Sequence, residues 1–221
     1  MVAETKVAKN AVSLLGAARR FFEFANPRII APVWAAVLVA RLAVGRWTWW
    51  DAVAAGIVLA IQPFTEWTLH VFLLHFKPKV VLGRRIDPVV SRKHRAHHAD
   101  PWDEKLRFIL MPGLIVLLSL AAVLPWVIAS NKPIGLTVAL TMTSVLFNYE
   151  WIHYLVHSRY VPRTRAYRYV WRSHRLHHFK NEHYWFGVTM HAGDWLLGTA
   201  PSKDAVPTST TVRTLGVEAG V

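Results

Sequence analysis

The 221-residue chain contains no cysteine, which excludes disulfides, thiolate metal sites and cysteine nucleophiles. Any transition-metal site must therefore use His, Asp or Glu. Acidic residues are also scarce: 13 stand against 26 Lys and Arg, which gives a net charge of +13. Such a balance suits a nucleic-acid ligand or the anionic surface of a membrane.

The apolar residues favour the membrane, because they make up 53% of the chain and are concentrated in long blocks. Each block is long enough to cross a hydrocarbon core of roughly 30 Å. Very short linkers follow the first and third blocks, so we expect two antiparallel helical hairpins. The predicted fold is an all-α, integral-membrane four-helix bundle with no nucleic-acid partner. The predicted spans are residues 29–45, 52–76, 106–128 and 134–154.

The basic residues predict how the chain crosses the membrane. They are dense in 1–28, 77–107 and 159–221, which places both termini in the cytoplasm by the positive-inside rule. Residues 1–28 are expected to form an N-terminal interfacial segment with a helix over 10–25, although an ordinary solvated helix fits the pattern equally well. Residues 29–200 form the predicted membrane-bound domain, with Arg41 reaching towards the interface near the end of the first span. Residues 201–221 are small and polar and predict a disordered tail.

The twelve histidines are confined to short stretches of the chain, and none lies in residues 1–69, 99–152 or 192–221. Ten fall into four clusters, and two more follow the last cluster. A proton relay or pH sensor could use several histidines but would not need such regular spacing. The clusters are His70 and His75; His94, His97 and His98; His153 and His157; and His174, His177 and His178, followed by His183 and His191.

The spacing within the clusters favours metal binding. Residues three and four apart share a helix face, so the histidines of each HxxHH motif can converge, as can the pair His153 and His157. By contrast, His70 and His75 lie about 140° apart on an ideal helix. They can meet only if that helix ends or bulges between them, unless they bind different metals.

Helix length places the clusters at one level. His70 lies 19 residues beyond Asp51, and His153 lies 19 beyond Ile134. At 1.5 Å per residue, both are about 28 Å from the outer ends of their helices. Ten or more imidazoles exceed the ligands of one ion, so two metals are predicted, of a kind that suits imidazole: Zn, Fe, Cu or Ni. Nearby carboxylates are candidates to orient the rings, although a surface position fits each of them equally: Glu66, Asp100, Glu150, Glu182 and Asp194.

The motif order H-x4-H, HxxHH, H-x3-H and HxxHH, with membrane hairpins between, resembles the fatty acid hydroxylase superfamily. That group includes sterol desaturases, fatty acid 2-hydroxylases and carotene hydroxylases. The resemblance covers about residues 50–200 and extends to the closing stretch HYWFGVTMHAGDWLLGT at 183–199. It implies a cytoplasmic helical cap over two iron ions, which zinc can replace in purified protein, with all twelve histidines as metal ligands and no other catalytic residue.

The resemblance also implies the reaction. Members use O2 and external electrons, here from a cytochrome b5-like protein or a ferredoxin and its reductase, to attack a lipid alkyl chain. A fatty acyl or sphingolipid chain is the expected substrate, and a carotenoid or sterol, hydroxylated or desaturated, stays open. A bacterial source would place the protein in the plasma membrane.

A zinc-dependent hydrolase and a metal transporter or store are the competing classes. The absence of HExxH counts against the hydrolase, and the confinement of histidine to one level counts against the transporter or store. Two further sets of residues are candidates for the substrate or a partner, although an interfacial aromatic belt explains the first equally and positive-inside bias explains the second. The candidate pocket walls are Trp67, Trp151, Trp185 and Phe186. The candidate contacts for a lipid headgroup or an acidic donor are Arg163, Arg165, Arg168 and Arg172.

Overall fold

A computed structural model describes residues 11–217, and these residues are mostly helical. The first half of the chain forms α1 (Leu14–Phe21), α2 (Ala25–Val44), α3 (Trp49–Thr68) with a π-helical extension (Leu69–Leu74), strands β1 (Lys79–Val81) and β2 (Arg84–Ile86), and α4 (Val89–Ala99). The second half forms α5 (Met111–Ala122), α6 (Leu124–Ile128), α7 (Lys132–Val156), α8 (Arg165–Phe179) and α9 (Ala192–Leu196). Single 3-10 turns lie at Glu104–Leu106 and Lys203–Ala205.

Three helical segments are long and apolar enough to cross a membrane: Ala25–Val44, Trp49–Leu74 and Glu104–Ile128. Only 17%, 17% and 28% of their most apolar windows are buried inside the protein. Their remaining apolar surface needs a non-aqueous environment, since soluble proteins rarely expose apolar patches of this extent. The chain is therefore a membrane protein.

The expected fourth span, over 134–154, is helical but does not meet the same criterion. It lies within α7, which at 25 residues is long enough to cross a bilayer. Its threonines, together with Asn148 and Glu150, make it less apolar than the other three segments. A bundle of four membrane-spanning helices therefore remains a prediction.

The chain divides into two compact units. The helical unit comprises residues 15–62 and 108–152. Its aromatic contacts centre on Phe21 of α1, whose ring lies 5.0 Å from Trp151 and 6.2 Å from Phe147. Among the described residues the expected interfacial helix is limited to Leu14–Phe21, and one side of it packs inside this unit. Residues 1–10 of the predicted interfacial segment lie outside the described residues.

Arg41 does not reach towards the interface, because its side chain is fully buried in the helical unit. Its Nη2 donates to Asp51 Oδ1 at 2.7 Å, its Nε donates to Thr137 Oγ1 at 2.6 Å, and its Nη1 donates to the carbonyl of Gly45. Asp51 also accepts from the backbone N–H of Thr48. Buried charges persist where they are paired and hydrogen-bonded, and this network links α2, α3 and α7.

The histidine unit comprises residues 63–107 and 153–217, together with the described residues up to 14. It departs from a purely helical cap, because β1 and β2 form an antiparallel hairpin with Val80 opposite Arg85. The turn of this hairpin places Leu82 and Gly83 at positive φ.

Within residues 201–217, where the sequence predicts a disordered tail, several residues make contacts in the histidine unit. Val212 and Leu215 are buried, and the backbone N–H of Ser209 donates to the carbonyl of Lys180 at 2.7 Å. Val212 and Leu215, three residues apart in this polar stretch, provide the buried contacts.

Candidate metal centre

Ten of the twelve histidines converge in the histidine unit as two groups of five. Within each group, one potential ligand nitrogen from every ring lies within 4.8 Å of all the others. All ten rings are buried except that of His75, which is half-buried. The first histidine group is His70, His75, His94, His98 and His177; the second histidine group is His97, His153, His157, His174 and His178.

The two HxxHH motifs exchange members between the groups. On α4, His94 and His98 belong to the first group, while His97 turns to the second. On α8 the assignment is reversed: His174 and His178 belong to the second group and His177 to the first. Residues four apart differ by about 40° around a helix, whereas the adjacent residues of each HH pair differ by about 100°, so each motif serves both groups. The three histidines of a motif therefore do not converge on one point.

The π-helical extension of α3 brings His70 and His75 together. The backbone N–H of His75 donates to the carbonyl of His70 at 3.0 Å, which is the i→i+5 hydrogen bond of a π-helix. This wider turn brings residues five apart closer together around the helix than an α-helix does. The two ring centroids are 5.0 Å apart. The bulge that the five-residue spacing required is therefore present.

Main-chain carbonyls fix the tautomers of three rings in the first histidine group. Nδ1 of His70 donates to the carbonyl of Phe186 at 2.5 Å, that of His177 to Tyr184 at 2.8 Å, and that of His98 to Val212 at 3.0 Å. A carbonyl only accepts, so each Nδ1 carries the proton of its neutral imidazole. Each Nε2 is then left with a lone pair directed into the group.

The Nε2 atoms of the second histidine group approach one another in a chain. The separations are 3.2 Å from His153 to His97, 3.2 Å from His97 to His157, 3.0 Å from His157 to His174 and 3.0 Å from His174 to His178. His153 Nδ1 donates to the carbonyl of Arg107 at 2.6 Å, which leaves its Nε2 lone pair facing the others.

These donor sets fit metal ions. Two imidazole nitrogens bound at about 2.1 Å to one ion and at right angles to each other are about 3.0 Å apart. The shortest Nε2 separations in the second group are 3.0 Å. In the first group, Nε2 of His98 is buried and lacks a hydrogen-bond partner among residues 11–217. Buried polar atoms normally have a partner, so a buried lone pair among other imidazole lone pairs fits a bound cation.

Burial keeps the clustered imidazoles neutral, the form that binds metal. Removal from water is the largest cause of the lowered pKa of His94, His174 and His177, and the neighbouring imidazoles lower it further. The pKa of His98 is lowered by burial to about 3. These rings therefore offer lone pairs rather than positive charge at neutral pH.

The two groups are direct neighbours. His98 of the first and His178 of the second have ring centroids 4.1 Å apart, and His177 and His178 are adjacent in sequence. An ion in each group would give a dinuclear centre with all-nitrogen ligands.

His183 and His191, which are predicted ligands, lie outside both groups in the described part of the chain. The His183 side chain is 63% exposed and its Nε2 lies 3.4 Å from Glu182. His191 is buried beside Tyr169, with ring centroids 5.0 Å apart. Both follow the helical motif, and nothing in their spacing aligns them with a ligand face.

The carboxylates expected to orient the rings have other partners. Glu66 and Asp194 accept backbone N–H groups of residues 186–189. Glu182 accepts the hydroxyl of Thr211, and Asp100 accepts the backbone N–H of Trp102. Glu150, in the helical unit, accepts from Asn26. The observed acceptors for imidazole Nδ1 are carbonyl oxygens, which sequence reasoning could not identify because every residue carries one.

The candidate pocket walls and basic contacts differ in exposure. Trp185 and Phe186 are buried, and the Phe186 ring lies 5.5 Å from His70 and 5.4 Å from His177. Trp67 donates to Thr199 Oγ1 at 2.9 Å. The four candidate basic contacts on and before α8 are exposed: Arg163, Arg165, Arg168 and Arg172.

The fold and the site define a membrane protein with two adjacent all-histidine groups that could bind metal. Residues 55–199 match the family model described as fatty acid hydroxylase, and the chain belongs to this family. It is accordingly an oxidoreductase that hydroxylates lipid in a metal-dependent reaction.

Similar proteins agree with this assignment. The dihydroceramide fatty acyl 2-hydroxylases FAH2 and FAH1 of Arabidopsis thaliana are 24% and 27% identical over 195 and 199 residues. Each alignment covers 84% of this chain and 79% of the relative. The solved structure of full-length scs7p, in which only the hydroxylase domain is visible, matches with a TM-score of 0.64 at 23% identity, covering 84% of this chain and 68% of that one. That likeness shows the shared fold.

Proposed function

We propose that this protein is a non-haem di-iron oxygenase that hydroxylates the fatty acyl chain of a ceramide-type membrane lipid. One oxygen atom of O2 enters a C–H bond to give C–OH. The other leaves as water with two protons and two electrons supplied by a separate electron-transfer protein. The observation that carries the proposal is the pair of adjacent five-imidazole groups.

Iron is the proposed metal because the reaction requires a change of oxidation state, which zinc does not provide. When bound, the iron pair would supply the activation of O2; the chain supplies the ligands and their orientation. The ten grouped histidines would hold the ions, five at each. The carbonyls of Phe186, Tyr184 and Val212 keep the first group's lone pairs directed inward, and burial of the rings excludes water.

The substrate class rests on two observations. The apolar exterior of the three candidate spans provides contact with lipid chains. Both Arabidopsis relatives are named as fatty acyl 2-hydroxylases of dihydroceramide. We therefore propose the carbon next to the acyl carbonyl as the site of hydroxylation. A carotenoid or a sterol is the alternative outcome of the test below.

The electron donor is proposed to dock from the cytoplasm, where the positive-inside rule places the histidine unit and both termini. The exposed arginines of the α8 region, among them Arg165 and Arg168, offer a positive surface to an acidic partner such as a cytochrome b5-like protein or a ferredoxin. No residue outside the two groups is assigned a chemical step.

Lipid analysis under labelled oxygen tests the proposal. Cells that express the chain are grown under ¹⁸O2, and their lipids are compared by mass spectrometry with those of cells expressing the His97→Ala or His177→Ala variant. We expect one ¹⁸O atom in the 2-position of an amide-linked acyl chain, absent from both variants. Label in a carotenoid or sterol would identify that lipid as the substrate instead. Loss of two hydrogens without label would indicate desaturation. A product that forms without O2 would support a hydrolase and refute the proposal.

A further inference from the structure

The loop over residues 184–189 supplies two of the acceptors that orient the first histidine group. Its Tyr184 carbonyl accepts from His177 Nδ1 at 2.8 Å, and its Phe186 carbonyl accepts from His70 Nδ1 at 2.5 Å. The two ligands come from different parts of the chain, α8 and the extension of α3. One short loop therefore sets the orientation of both rings.

The loop has an unfavourable backbone conformation at Trp185. This residue has φ of +58°, in the left-handed region that bulky side chains avoid. It is held there by two hydrogen bonds, from its backbone N–H to the carbonyl of Thr199 at 2.8 Å and from Nε1 to the carbonyl of Pro201 at 3.1 Å. Strain of this kind persists only when surrounding contacts enforce it.

Glu66 holds one end of the loop. Its Oε1 accepts the backbone N–H groups of both Val188 and Thr189, the latter at 2.7 Å. Its Oε2 accepts the hydroxyl of Thr189 at 2.7 Å. Glu66 lies on α3 one turn before His70, so the same helix carries a ligand and an anchor for the loop that orients it.

Asp194 holds the middle of the loop. Its Oδ1 accepts the backbone N–H of Phe186 at 2.9 Å and the hydroxyl of Thr199 at 2.7 Å, while its Oδ2 accepts the backbone N–H of Gly187 at 2.7 Å. The fit is tight: a Cβ on Gly187 would lie 2.5 Å from the carbonyl oxygen of Met190 and 2.8 Å from Asp194 Oδ2. The peptide group that carries the Phe186 carbonyl is therefore fixed through the N–H of Gly187, and the preceding peptide group is fixed through the N–H of Phe186.

We propose that Glu66 and Asp194 are positioning residues that act on the metal through this loop. They neither bind the ion nor contact an imidazole; they fix the backbone whose carbonyls direct His70 and His177. The inference rests on the proposed metal site, but its test measures metal retention and not hydroxylation. The proposal gives a physical role to Glu66 and to two residues of the closing stretch 183–199, Gly187 and Asp194.

The hydrogen-bond directions predict different outcomes for two similar substitutions. Glu66→Gln can keep an oxygen at Oε1 for both N–H groups, and its new NH2 can donate to the Thr189 hydroxyl. Asp194→Asn cannot adapt, because each carboxylate oxygen faces a backbone N–H and the new NH2 must oppose one of them. An opposed donor pair in a buried site costs about 1–3 kcal/mol, so the loop is expected to shift.

The experiment compares Glu66→Gln, Asp194→Asn and Gly187→Ala with the unchanged protein after anaerobic loading with Fe²⁺ in detergent. Iron per chain is measured, and its release to a chelator is followed in time. We expect Asp194→Asn and Gly187→Ala to lower the affinity for one of the two ions about 10–100-fold, because the residues that orient its ligands are disturbed. The other ion should be retained. Glu66→Gln should release both ions at nearly the original rates, and Glu66→Ala should behave like Asp194→Asn.

The selectivity between the ions separates positioning from general stability. Asp51→Asn is the matched control, since Asp51 is an equally buried carboxylate in the helical unit. It should lower the unfolding temperature while both ions stay bound. Loss of both ions in Asp194→Asn, or equal effects of Glu66→Gln and Asp194→Asn, would overturn the proposal. An unchanged protein that binds no Fe²⁺ would refute the proposed metal site itself.

Discussion

The C-terminal turn at residues 210–216 is expected to support the first histidine group, and its removal tests this directly. The carbonyl of Val212 accepts from His98 Nδ1 at 3.0 Å, and Arg213 donates to the carbonyl of His98 at 3.1 Å. Both residues lie beyond the stretch that matches the family model, which ends at residue 199. The perturbation is deletion of residues 208–221.

Two separate costs follow from the deletion. Val212 and Leu215 are 8% and 3% exposed, and burial of such side chains contributes about 1.5–3 kcal/mol each. Loss of the acceptor for His98 frees its tautomer and ring orientation, which reduces metal affinity about 10–100-fold. Affinity for one ion should therefore fall by roughly 1.4–2.8 kcal/mol in addition to the loss of stability.

The assay is Fe²⁺ titration of the detergent-purified protein, followed by thermal unfolding with and without metal. Val212→Ala is the matched control because it removes two buried carbons but keeps the carbonyl. It should lower stability by about 1.5 kcal/mol and leave metal affinity unchanged. The reasoning is refuted if the shortened chain binds both ions with the original affinity, or if Val212→Ala weakens metal binding as strongly as the deletion.

Three further predictions concern other parts of the structure. The His183→Ala variant should retain both ions and full activity, because this side chain is 63% exposed and lies outside both groups. Metal analysis and turnover measurements check this. Loss of one ion would show that His183 is a ligand. The metal-free protein should lose stability as the pH falls from about 6.5 towards 3, because the unfolded chain takes up protons at the ordinary histidine pKa whereas burial lowers the pKa of folded His98 to about 3. Denaturant titrations at several pH values check this, and equal free energies of unfolding at pH 7 and pH 5 would contradict it. Asp51→Asn should lower the free energy of unfolding by about 3–5 kcal/mol, because buried Arg41 loses its ion pair. Replacing both residues with apolar ones should recover most of that stability. A double variant as unstable as the single one would contradict this account.

The sequence predicts the helices and the gathering of the histidines because both depend on spacing. Blocks of apolar residues and i, i+3, i+4 repeats follow directly from helix geometry. The same geometry exposed the difficulty at His70 and His75, and it anticipated the change of helix type that the π-helical extension provides. The division of each HxxHH motif between two groups was not foreseen, because it depends on how α4 and α8 face each other.

Features that depend on the backbone were beyond the reach of the sequence. The ring-orienting acceptors are carbonyls of residues whose side chains give no sign of the role, such as Val212 and Tyr184. The stretch after residue 201 is mostly polar, so its composition does not indicate that Val212 and Leu215 are buried. The position of Arg41 near a helix end predicts an interfacial side chain. In the structure the side chain is buried, because it is hydrogen-bonded to Asp51 and Thr137, which lie 10 and 96 residues further along the chain.

The central claim is that each group of five imidazoles holds one metal ion. Crystals of the Fe²⁺-loaded protein, measured above and below the iron absorption edge, give an anomalous difference map that locates iron directly. The account predicts two peaks per chain, one enclosed by the first histidine group and one by the second. A single peak shared between the groups, or iron bound elsewhere with the ten rings empty, would contradict it.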